Sequence, residues 1–159
     1  MPGSGNKASA IAANLIADLI AFIRPRKLGR VTGADGESDL TPAGANLETA
    51  LIPDVAFVRA GRLEPLRSKE ANAIPHLAPD LAAEVASPSQ RRPAMAAKAR
   101  LYLAAGLKLV WMIWSDAEQV DVCRPDTDAP VVTLTNFDQL DGLDILPGFT
   151  HPVSDRFTE

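Results

Sequence analysis

The sequence predicts an α/β fold: a mixed β-sheet flanked by helices. Three observations predict it. Residues 8–24 carry apolar side chains at helical spacing. The runs "PDVAFVRA" and "DLAAEVAS" are almost continuously apolar, as strands covered on both faces must be. An alanine-rich helical segment follows the second run and leads into three further strand-like runs. Helices interleaved with buried strands are the pattern of a layered α/β domain. A chain of 159 residues is long enough to bury a core as one unit, residues 1–159.

The first helix sets Ile11, Leu15, Leu19 and Phe22 along one stripe, with Ile16, Ile20 and Ile23 beside it. Ser9 is placed to cap it and Pro25 to stop it. The glycine-rich stretch "LGRVTGADGESDLTPAGANLETA" predicts short strands separated by turns at residues 33–36 and 42–44. Residues 53–60 form a strand entered from a proline. "GRLEPLRSKEANAIPHLAP" then reads as a long surface connection, and residues 80–87 as a second buried strand. Pro88 and Pro93 bracket a turn. The helix over 93–105 has Pro93 near its first position and Gly106 as its C-cap. "LKLVWMIWS", "EQVDVCR" and "APVVTLTN" follow as strands joined by tight turns, with Trp111 and Trp114 in the core. The tail "FDQLDGLDILPGFTHPVSDRFTE" reads as polar and turn-rich with a few apolar anchors.

Composition narrows the function classes. A net charge of −4 argues against strong non-specific binding to nucleic acid, which needs many cationic contacts to phosphate. Yet "FIRPRKLGR" and "SQRRPAMAAKAR" are basic within this acidic chain, the asymmetry a polyanion site needs. The single cysteine, Cys123, rules out an intrachain disulfide and points to a reducing compartment. Closing the alternating run "VDVCRP", it reads as a buried structural thiol. The first helix does not read as a signal peptide: Asn14 and Asp18 break it, and its strongest charges follow it. "LVWMIW" is too short to span a bilayer. The expectation is a cytoplasmic protein with no membrane partner.

Several familiar chemistries find no motif here. No serine sits in a G-x-S-x-G elbow, "GADGES" lacks the lysine and glycine pattern of a phosphate-binding loop, and His76 and His151 are isolated. The acidic residues in apolar runs are different. Asp54 precedes Val55–Val58, and Glu84 interrupts a run that is otherwise wholly apolar. A carboxylate on a buried face is costly unless it is paired or bound to a cation. If Asp54 and Glu84 lie on neighbouring strands, two oxygen ligands converge, a suitable seed for magnesium, which keeps several waters and takes further ligands from substrate phosphates. Lys98 and Tyr102 share a face of the following helix, and an ammonium group there could position or deprotonate a water. Gln90 could bond the same water or a phosphate oxygen. Plainer readings stand beside these. Asp54 could only end a strand, Asp80 could be a turn or edge residue, and Lys98 could be solvated. Ser87, Ser89 and Gln90 could simply cap the coming helix.

The string "PDVAFV", then "PDLAAEVASPS", then a lysine in the helix "KARLYLAAGLKLVWMI", resembles the Uma2 family of restriction-endonuclease-like proteins, and through it the wider PD-(D/E)XK nuclease fold. The resemblance runs from the first helix through "DGLDILPGF". It implies a mixed sheet flanked by helices and a centre using Mg²⁺, with Mn²⁺ as the substitute ion. Asp54 and Glu84 would then be the acidic metal ligands. The nuclease motif places a lysine two residues after the glutamate, where this chain has Ala86, and Lys98 would supply the displaced ammonium group. Two departures stand out. Where members carry an aspartate ahead of that lysine, this chain reads "SPSQRRPAMAAK", and the first helix opens with Asn6 and Lys7 where members often place a glutamate or histidine.

Two functions follow as expectations. One is a Mg²⁺-dependent DNA endonuclease with Asp54, Glu84 and Lys98 as its catalytic residues. The other is a catalytically inactive nuclease-fold domain serving as a protein- or nucleic-acid-interaction module, which the acidic balance and the "SQRRPAM" segment favour. A homodimer is the natural assembly for either.

Overall fold

In the computed structural model, which describes residues 2–34, 52–67 and 77–158, the first element is helix α1 (Pro2–Arg26). Its buried stripe is Ile11, Leu15, Leu19 and Ile23, four residues apart throughout, with Ile16 and Phe22 packed alongside. The helix extends beyond both expected ends. Ser9 lies inside it, and Pro25 occupies its last turn. The stop comes at Lys27, whose φ of 54° is left-handed, and the Leu28 N–H donates back to the Ile23 carbonyl at 3.2 Å. By length and apolar composition α1 would also pass for a membrane-crossing helix. In this fold its apolar stripe lies on the sheet.

Strands β1 (Gly29–Gly33), β2 (Val55–Arg59), β3 (Leu81–Ala86), β4 (Leu109–Trp114), β5 (Gln119–Cys123) and β6 (Val132–Leu134) form one sheet in sequential order. Neighbours are antiparallel except β3 and β4, which are parallel. A parallel pair needs a crossover, and helix α3 (Arg92–Ala104) supplies it. The cap of α3 is Ala105, and Gly106, at a φ of 110°, turns the chain toward β4.

Alternation along the strands divides the interior into two layers. Leu81, Ala83 and Val85 of β3, Leu109, Trp111 and Ile113 of β4, and Val120 and Val122 of β5 face α1 and the C-terminal segment. Ala82, Ala86, Val110, Met112, Trp114 and Cys123 face Met95, Ala99 and Tyr102 of α3. This double coverage is why β3 and β4 read as unbroken apolar runs. Both tryptophans are buried as expected, and so is Cys123. Burial, then the Asp121 charge, pushes the Cys123 thiol up to about 11, so it is inert at neutral pH.

Three expectations change. Part of the supposed surface connection is a helix, α2 (Ala60–Arg67). The link from β5 to β6, residues 124–131, is longer than a tight turn. The tail is a structural element: strands β7 (Gln139–Asp141) and β8 (Thr150–Pro152) pair as a second sheet, and a 3₁₀ turn, Val153–Arg156, follows. It buries Leu140, Ile145, Leu146, Phe149 and Val153 against the α1 side of the main sheet. The buried Arg156 guanidinium pairs with Asp18 of α1. The turn expected at 42–44, most of that at 33–36, and His76 lie outside the described residues.

Asp80 has a structural role. It is 6% exposed, accepts the Arg59 N–H at 2.9 Å and pairs with Arg62 at 2.9 Å. Asp80→Ala should leave that amide without its acceptor and cost about 1–3 kcal/mol in a urea titration. Divalent-cation binding should not change.

Candidate active site

The register of β2 and β3 brings the first two candidates together. Val55 pairs with Ala83, Ala56 with Ala82 and Phe57 with Leu81. Carried one residue past the start of β2, the same antiparallel count sets Asp54 opposite Glu84. The Asp54 carboxylate accepts the Val85 N–H at 2.8 Å through Oδ2 and so holds the chain at the point where regular pairing begins. Glu84 is 4% exposed and, with Ala82 and Ala86 as its neighbours on that face, looks toward α3.

The third candidate comes from α3. Lys98 and Tyr102 stand one turn apart on the face turned to β3. Lys98 Nζ lies 2.9 Å from Glu84 Oε1, and the Tyr102 hydroxyl donates to the same oxygen. The structure therefore joins Lys98 to Glu84 and sets Asp54 across the β2–β3 register from that glutamate. Tyr102, which the sequence marks only as sharing a face with Lys98, joins them.

Electrostatics at this point follow from burial. Removal from water raises the Glu84 pKa above the ordinary glutamate value, and the Asp54 charge raises it further. The bonds from Tyr102 and Lys98 pull the other way without cancelling the effect. Tyr102 is also raised, by burial first and then by the Glu84 charge, so its hydroxyl remains a donor.

The donor set suits a hard divalent cation. Among the described residues no hydrogen bond reaches Glu84 Oε2 or Asp54 Oδ1. Nor do the described residues contain a group of three or more His, Cys, Asp or Glu side chains able to share an ion. Two carboxylates are what magnesium ordinarily takes from a protein before waters and phosphate oxygens complete its shell. A buried acid whose ionisation a second acid's charge also opposes is the arrangement a cation would relieve.

A cavity of about 330 Å³ borders Asp54 and Val85, walled by α1 at Gly5, Ala8, Ser9 and Ala12. A cavity of similar size, about 350 Å³, lies on the far flank of α3 between Arg92, Leu103, Trp114 and Cys123 and touches neither carboxylate. The opening beside Asp54 reaches that carboxylate from the α1 side and does not border Glu84.

In the segment "SPSQRRPAM", Gln90 and Arg92 make contacts away from the carboxylates. Gln90 Oε1 accepts the Ser87 N–H at 2.8 Å, so Gln90 closes the turn and does not reach toward Glu84. Arg92 lies over the Trp114 ring at 4.4 Å and bonds Gln119 at 3.0 Å. Lys7 donates to the Ser115 carbonyl at 3.1 Å, tying the start of α1 to the end of β4. A buried acid that sequence reasoning passed over is Asp121. It accepts from Trp114 Nε1 at 2.8 Å and from the Thr133 hydroxyl at 2.6 Å, which satisfies it as a structural group. Its signal was present: Asp121 interrupts "QVDVC" as Glu84 interrupts "LAAEVA".

The fold has a counterpart among solved structures. With a TM-score of 0.73 and 20% identity, the chain is similar to a crystal structure of a protein described as a putative nuclease belonging to DUF820, from Anabaena variabilis. The match covers 95% of this chain and 80% of that one. No curated protein matches. The family comparison spans almost the whole chain: residues 1–154, which hold the sheet, α3 and all three candidate residues, match the family described as "Putative restriction endonuclease", and the chain belongs to the Uma2 family.

Proposed function

We propose that the protein is a divalent-cation-dependent DNA endonuclease, hydrolysing phosphodiester bonds with Asp54, Glu84 and Lys98. The observation that carries this reading is Lys98. Its side chain is 29% exposed, yet its ammonium group turns in to the buried Glu84, across the register from Asp54. Family membership and the nuclease-like fold support it. Asp54 and Glu84 would hold Mg²⁺ or Mn²⁺. The ion, when bound, would polarise a scissile phosphate and favour ionisation of a water. Lys98 would orient that water and stabilise charge developing on the phosphate. The acidic surface elsewhere makes steering depend on local basic segments such as "RPRK", so binding should weaken as salt rises. A small acidic chain presents little surface to a duplex, so we take the DNA-bound species to be a homodimer and the setting to be cytoplasmic.

The test is cleavage of single-stranded, double-stranded and branched DNA with Mg²⁺, with Mn²⁺ and with chelator. Cleavage of some DNA in either metal, and none in chelator, is expected. Folded protein that binds neither cation nor DNA would overturn the reading in favour of the inactive interaction module.

Cation binding should also register as stability. At a free cation concentration 100 times its Kd, the folded state gains about 2.7 kcal/mol. Because the Glu84 carboxyl takes up its proton at a higher pH than an ordinary glutamate, this gain should fade early on acidification. The cation-free protein should show the opposite sign. A carboxyl raised on folding favours the native state while protonated, and that contribution is lost as pH rises through the folded value. Thermal melts across pH, with and without Mg²⁺, read both effects.

A further inference from the structure

Glu84 Oε1 receives two donors, the Tyr102 hydroxyl and the Lys98 ammonium, while Oε2 receives none among the described residues. The two donors differ in kind. Lys98 is a charge on a flexible stem, 29% exposed, and could follow either oxygen. Tyr102 is 0% exposed and belongs to the buried cluster that holds Ala82, Met95, Ala99 and Met112, which restrains its ring with the hydroxyl on Glu84 Oε1. We propose that Tyr102 is a positioning residue: its hydroxyl fixes the Glu84 carboxylate so that Oε1 serves Lys98 and Oε2 is presented to the cation. This rests on the reading of Asp54 and Glu84 as cation ligands. Without the hydroxyl, the carboxylate can rotate and Lys98 can follow it, covering the oxygen the cation needs. Partners that orient a ligating side chain typically carry 10- to 100-fold of metal affinity.

The experiment is calorimetric titration of Mn²⁺ into wild type, Tyr102→Phe and Glu84→Gln, beside circular dichroism and cleavage rates at graded Mn²⁺. Tyr102→Phe should keep the wild-type spectrum and bind Mn²⁺ on the order of 10-fold more weakly. Its half-saturating Mn²⁺ for cleavage should shift by the same factor, with most of the maximal rate restored at saturation. A Tyr102→Phe protein with unchanged Mn²⁺ affinity and only a lower melting temperature would overturn the proposal, because a purely packing role predicts that result. Wild type and Glu84→Gln binding Mn²⁺ equally, or neither binding it, would instead remove the cation site itself. Should Tyr102→Phe fail to fold, the pair Tyr102→Gln and Tyr102→Leu decides. Glutamine can still donate and should bind Mn²⁺ more tightly than leucine, and equal losses in the two would count against a positioning role.

Discussion

Glu84→Gln should lower cation-dependent DNA cleavage on the order of 10³-fold and abolish the rise in melting temperature that Mg²⁺ produces. The substitution keeps the size of the side chain and an amide oxygen that can accept from Tyr102 and Lys98, so the interior near α3 has no reason to rearrange. What it removes is the negative charge. In the cation-free protein that removal should be neutral or mildly stabilising near neutral pH, because the native state no longer has to hold an ionised carboxylate that burial disfavours. Activity and cation binding therefore fall while the fold holds, which separates a ligand from a structural acid. Asp54→Asn should behave alike, since an asparagine oxygen can still accept the Val85 N–H. Lys98→Met should differ from both, keeping cation binding while losing rate. Cleavage rates and Mg²⁺-dependent melts on the three variants test the assignment together. If Glu84→Gln cuts as fast as wild type, the carboxylate pair is not the catalytic centre.

The residues of this site were readable singly, and their convergence only on the condition that two strands pair in a particular register. Glu84 announces itself because a charge breaks an apolar strand, and no local propensity accounts for it. Lys98 is legible through the helical face it shares with Tyr102. That Asp54 meets Glu84 depends on the register of β2 with β3, thirty residues apart in sequence and set by tertiary packing. Tyr102 was invisible as a partner for another reason: an aromatic on an alanine-rich helix reads as core, and it is core, with only the hydroxyl directed to the acid. Helix α2 escaped because "AGRLEPLR" has no apolar stripe and contains a proline. The tail escaped because its apolar residues are spaced by turns and fit neither the strand nor the helix period.

That tail carries the largest expected stability effect. Phe149→Ala should destabilise the protein by about 3–5 kcal/mol, the range for removing a fully buried aromatic side chain. Phe149 is 0% exposed and is the hub between three elements. Its ring meets Phe22 of α1 edge-on at 5.5 Å, stacks on Trp111 of β4 at 6.0 Å and on His151 of β8 at 5.0 Å. Truncation would open a cavity bounded by rigid walls, a helix on one side and the central sheet on another, so collapse into it is limited. The pair Asp18–Arg156 and the backbone bond from the Gly142 N–H to the Phe149 carbonyl, 2.9 Å, should still hold the segment in place. The loss should therefore appear as a lower denaturation midpoint, with leucine at the same position losing less than alanine. Phe149 lies on the α1 layer and Glu84 on the α3 layer, so the folded fraction of Phe149→Ala should bind divalent cation as wild type does. A loss below about 1 kcal/mol in guanidinium titration would mean that the tail rests on the sheet without being part of its core.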